Sequence, residues 1–142
     1  MRKARPGFTI IETTVVVALA AAFMAIGLPR AWRFIDAIEV RGAVSEIESM
    51  FSLARHVAIA RGRQVTLEID VGARAVSIRS GPELIRIREV GAAHGVFLAA
   101  NRTSITYSPI GVGYGASNFS LIVSRNQAVD TIVVSRLGRV RH

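Results

Sequence analysis

The feature that most constrains this chain is an apolar run from Phe8 to Leu28 in which Glu12 is the only charged residue. At 1.5 Å per residue, a helix of about 20 residues spans the roughly 30 Å hydrocarbon core of a bilayer. Ahead of it stands Met1-Arg-Lys-Ala-Arg-Pro-Gly7, too short and too charged to be part of a fold. A secretory signal also joins a basic start to an apolar stretch, but its small-residue cleavage site lies beyond that stretch. Here the glycine precedes the run and an acid lies inside it. A glutamate at membrane depth costs about 2.5–3.5 kcal/mol on insertion scales, so it needs a partner. Arg2, Lys3 and Arg5 favour the cytoplasm and place the remainder of the chain on the far side of the membrane, with Arg30 and Arg33 weakly opposing that orientation.

Beyond the run, Pro29 is expected to kink the helix without stopping it, because amphipathic spacing resumes. Ile47, Met50, Phe51, Ala54, Val57 and Ala58 recur at three- and four-residue steps and mark one buried stripe. Glu39, Arg41, Glu46, Glu48 and Arg55 read as a solvated face. Gly62 suits the left-handed position just past the helix end. From Arg63 the period changes to two. Val65, Leu67 and Ile69 alternate with Thr66, Glu68 and Asp70, the pattern of a half-buried strand. Further strands are predicted over 75–79, 83–90, 95–98, 104–107, 119–123 and 128–135. The glycines at 111, 113 and 115 precede neither a helix start nor a lysine, so they read as a tight loop and not as a phosphate cradle.

Gly7-Phe8-Thr9-Ile10-Ile11-Glu12 resembles the cleavage and methylation motif of prepilins and pseudopilins. Three later blocks carry the resemblance into the rest of the chain: Leu53 to Arg61 with Val65-Thr66-Leu67, Ile105 to Gly111, and Ile132 to Arg141. Together they are similar to the GspH/FimT family of minor pseudopilins. The resemblance implies cleavage after Gly7 by a prepilin peptidase and N-methylation of the new terminus at Phe8 by a methyltransferase. It also implies that Glu12 meets the terminal ammonium of a neighbouring subunit during filament assembly. The implied fold is α+β and type IV pilin-like, a long N-terminal helix packed on antiparallel β-sheets. Residues 1–7 are then the leader, 8–29 the transmembrane and filament helix, 30–62 its amphipathic second half, and 63–142 the β head. The implied partners are other pseudopilins or pilins, the inner membrane and secreted proteins.

The sequence offers little for catalysis. There are no cysteines, which removes disulfides and thiolate metal sites, and His56, His94 and His142 have no acid or hydroxyl at a useful sequence spacing. No cofactor is called for. A binding function can be argued at the C-terminus. The chain carries a formal charge of +8, and Lys3 is its only lysine. Arg136, Arg139 and Arg141 lie close together, with Arg125 at the preceding hairpin. If residues 138–141 are extended, Arg139 and Arg141 share a face about 7 Å apart and can contact successive phosphates of a DNA backbone. The bland alternative is a charged edge that discourages strand pairing with other chains. The tail also resembles that of FimT-type pilins, which implies DNA capture as a second reading beside a structural role in type II secretion.

Overall fold

The computed structural model describes residue 7, residues 9–114 and 119–135, and the backbone of residues 140 and 141. The chain divides into two units, Met1–Phe34 and Ile35–His142.

The first unit is helical from Ile10. Helix α1 (Ile10–Arg61) contains Pro29, and every residue described between Gly7 and Phe34 is exposed. Thr9 caps the helix: its Oγ1 accepts from the Glu12 backbone N–H at 3.2 Å, and its carbonyl accepts from Thr13 N–H. Thr13 and Thr14 donate their hydroxyls to the carbonyls of Ile10 and Ile11, each at 2.8 Å. Two polar side chains in an apolar run are thereby satisfied within the helix.

In the second unit, residues 35–61 of α1 form one wall of the core. The buried positions are Asp36, Val40, Ala43, Val44, Ile47, Met50, Phe51, Ala54 and Ala58, a stripe that begins well ahead of Ile47. Ala43, Ala54 and Ala58 are fully buried, so the backbone of the helix lies close against its neighbours. The helix stops at Gly62, whose φ of 60° glycine adopts at no steric cost. The Gly62 and Arg63 amides bond back to the carbonyls of Ile59 and Ala58, satisfying two orphan acceptors of the last turn.

The strands are β1 (Val65–Asp70), β2 (Ala75–Ser80), β3 (Glu83–Arg88), β4 (Phe97–Ala100), β5 (Ser104–Tyr107), β6 (Gly113–Tyr114), β7 (Phe119–Arg125), β8 (Ala128–Val134) and β9 (Val140–Arg141). A short helix, α2 (Val90–His94), separates β3 from β4. The first sheet has the order β3-β2-β1-β5-β6 and the second β4-β7-β8-β9, with every pair antiparallel. Alternation places Val65, Leu67, Ile69, Val76, Ile78, Ile105 and Tyr107 of the first sheet in the core, and Leu98, Phe119, Leu121, Val123, Ile132 and Val134 of the second. Phe51 of α1 meets Phe119 edge to face, with ring centroids 5.7 Å apart.

The segment 83–90 departs from the expected single strand. Pairing with β2 slips between Ile78 and Arg79, β3 ends at Arg88, and Val90 opens α2. Of its apolar residues only Val90 is fully buried; Ile85 is partly covered, while Leu84 and Ile87 remain exposed. β3 is an edge strand, where one face has little to pack against, so apolar content here does not report burial.

Candidate functional site

Two places carry the chemistry named from the sequence, the start of the chain and the last hairpin with its tail.

Glu12 is exposed in the first turn of α1, where a carboxylate also complements the positive end of the helix dipole. Gly7 lies outside the helix, and a Cβ placed on it meets nothing within 4 Å. Phe8 lies outside the described residues.

At the other end, β7 and β8 form a hairpin whose turn begins with Asn126 at a φ of 52°, a left-handed position that asparagine tolerates. Both oxygens of Asp36 on α1 are taken by this hairpin. Arg125 Nε donates to Oδ1 at 3.0 Å, and Asn126 Nδ2 donates to Oδ2 at 2.9 Å. A second nitrogen of Arg125 donates to the carbonyl of His94. Arg125 is thus held inside the head by an acid and a carbonyl, away from the role of a free phosphate ligand. Arg136 and Arg139 lie outside the described residues. The β9 backbone pairs with β8, setting Arg141 at the register position opposite Val133 on a sheet edge.

The histidines are better partnered than their sequence neighbours suggest. His94 Nδ1 lies 2.9 Å from Glu39 Oε2, and Nε2 lies 3.3 Å from Glu46 Oε2, so both ring nitrogens face carboxylates of α1. Arg88 Nε also reaches Glu46, at 3.2 Å. Glu39 and Glu46 are therefore not part of a solvated face, but half-buried fasteners of α2. The seat for the imidazole is Gly42, one turn from Glu39: a Cβ there would stand 3.0 Å from His94 Cε1. His56 Nδ1 donates to the Ser52 carbonyl, one helical turn back, at 2.7 Å. Among the described residues, no three His, Asp or Glu side chains are grouped to hold a metal ion.

Sequence spacing alone does not single out Asp36 or the Glu39–His94–Glu46 cluster. A signal for Asp36 does exist. Counting upstream from Ile47 by the helical repeat gives Ala43, Val40 and then Asp36, a lone acid on the buried stripe that must find a cation or donors.

A long N-terminal helix with an exposed apolar first part, and an antiparallel two-sheet head built against its later part, define a type IV pilin-like subunit. A profile of the family described as type II transport protein GspH matches residues 43–138, and the chain belongs to that family. Two crystal forms of the type IV minor pilin FimU from Pseudomonas aeruginosa (strain PAO1) share the fold. One aligns with a TM-score of 0.63 at 16% identity, covering 76% of this chain and 90% of that one. The other aligns with a TM-score of 0.59 at 13% identity, covering 71% and 90%. No protein of curated function matches the chain by sequence. Family and fold together make it a minor pseudopilin or pilin, a structural subunit that assembles with others of its class.

Proposed function

We propose that the chain is a minor pseudopilin of a type II secretion system, a subunit of the short pseudopilus that drives protein export across the outer membrane. The observation that carries this reading is the match to the type II transport protein family over residues 43–138. In this reading the precursor sits in the inner membrane with its head in the periplasm, the orientation favoured by Arg2, Lys3 and Arg5. A prepilin peptidase cuts after Gly7, and the new amino terminus at Phe8 is methylated. Glu12 is exposed in the first turn, available to the terminal ammonium of a neighbouring subunit as helices stagger into a filament. An acid unpaired in lipid gains most from a cation met only on assembly. The head then presents its sheets to partner pseudopilins or to exported proteins. The test is site-directed crosslinking from the head in cells, together with a deletion. Crosslinks to other pseudopilins and a secretion defect are expected; intact secretion with no such crosslink overturns the reading.

A second reading, a FimT-like minor pilin that binds DNA, draws on the extended β9 backbone at a sheet edge, with Arg139 just ahead of it and Arg141 within it. Duplex DNA binding by the head should fall steeply with salt. Replacing Arg139 and Arg141 by alanine should reduce the salt slope by about 1 for each phosphate that is no longer neutralised. Unchanged affinity and slope remove the tail from this reading.

A further inference from the structure

The residues immediately after the apolar run form a distinct group. Arg30, Trp32, Arg33 and Phe34 all lie in α1 and are exposed, Trp32 at 61% and Phe34 at 66%. Successive helical residues rotate by about 100°, so these four side chains fan out over an arc of about 200°, with Ala31 on the remaining side. A stripe would fit one protein surface. An arc of mixed arginine and aromatic character twice as wide as a usual packing stripe fits a medium that wraps around the helix. Its height along the axis agrees: with about 20 apolar residues filling the hydrocarbon, positions 30–34 fall within the next 10 Å or so, the depth of the headgroup layer. Arg33 Nε donates to the carbonyl of Pro29 at 3.3 Å, which folds the side chain back toward the end of the apolar run. The guanidinium is thereby held at the boundary and not extended into water.

Charge makes the group harder to explain otherwise. Arg30 and Arg33 weaken the orientation signal given by Arg2, Lys3 and Arg5, since cations disfavour the translocated side. Lipid phosphate on that side supplies the compensating partner. We propose that Arg30, Trp32, Arg33 and Phe34 form a collar that seats α1 in the phospholipid headgroup layer on the far side of the bilayer. The arginines contact lipid phosphates, anionic lipids in preference, and the aromatic rings lie at the acyl boundary. The collar presupposes that the apolar run is a membrane anchor.

Trp32 is the only tryptophan in the chain, so tryptophan emission reports this site alone. The full chain is reconstituted into vesicles of phosphatidylethanolamine and phosphatidylglycerol, and quenching is measured with lipids brominated at shallow or deep acyl positions and with aqueous iodide. Shallow lipid quenching should exceed both of the others. Brominated phosphatidylglycerol should quench more than brominated phosphatidylcholine, with local enrichment of about fivefold per arginine. Arg30→Gln with Arg33→Gln should bring that preference to unity while the chain still floats with the vesicles. Floating vesicles in which Trp32 is quenched by iodide alone overturn the collar and leave the anchor standing. Protection from both iodide and lipid quenchers also overturns it, in favour of a protein surface as the occupant. A chain that does not float with vesicles overturns the anchor reading, and the collar with it.

Discussion

Tyr107, at the end of β5, is fully buried, and among the described residues its hydroxyl has no hydrogen-bond partner. Burial pushes its pKa up from 10.0 to about 12, against the opposing charge of Arg55. A tyrosine in the unfolded chain ionises near 10 while the native phenol stays neutral, so the unfolded state loses its proton first. The stabilising effect of a neutral Tyr107 is present below pH 10 and is lost as pH rises toward 12. Urea titrations of the head should show a loss of no more than about 2 kcal/mol across that window. Tyr107→Phe removes the orphan hydroxyl, so stability at neutral pH should be equal or higher and the alkaline decline should flatten. An unchanged alkaline decline in that variant would assign it to another group. Asp36 presents the opposite case, a buried acid with every oxygen engaged. Asp36→Ala leaves the half-buried guanidinium of Arg125 without its carboxylate, with only the His94 carbonyl as partner, and about 2–3 kcal/mol of head stability should be lost in the same measurement.

Among the elements, those with strict alternation were legible in the sequence. β1, β2, β5, β7 and β8 each bury one face, so the period of two reads directly as strand. The later half of α1 was legible for the same reason, and Gly62 marked its end. The segment 83–94 was not. β3 buries almost nothing, and α2 has one turn of helix held by contacts distant in sequence, with His94 reaching back to Glu39 and Glu46. No local pattern encodes a helix whose fasteners lie some 50 residues upstream. α2 also depends on a close approach: Gly91 donates its N–H to the Arg74 carbonyl at 2.8 Å, and a Cβ on Gly91 would fall 2.3 Å from Arg74 Cβ. Gly91→Ala must push α2 off β2, at about 1–3 kcal/mol. Thermal unfolding of the head should register that loss, and hydrogen exchange at 90–94 should rise first; wild-type protection in both would show that the segment yields without strain.

For the whole molecule, the fold class and the GspH family were readable from the prepilin-like motif and the later blocks, because the motif joins an acid, a glycine and an apolar run in an order other segments do not share. Strand order was out of reach, since antiparallel pairing depends on which edges meet and not on any single strand. The engagement of Arg125 by Asp36, 89 residues upstream, can be found only where helix and hairpin are seen together. Assembly is tested at the other end of the chain. Glu12→Ala should leave the precursor stable and membrane-bound, yet absent from sheared filaments or crosslinked pseudopili. Incorporation at wild-type levels would remove the carboxylate from the assembly step. The same Asp36 tie has a mechanical side. Asp36 is the first residue of the second unit to be buried, so a pull applied to that unit at residue 35 is loaded first onto the β7–β8 hairpin, through the bonds to Arg125 and Asn126. In single-molecule pulling from residue 35, Asp36→Ala is expected to lower the rupture force and leave the later, core-limited event in place. The first mechanical fastening of the head is thus a single carboxylate.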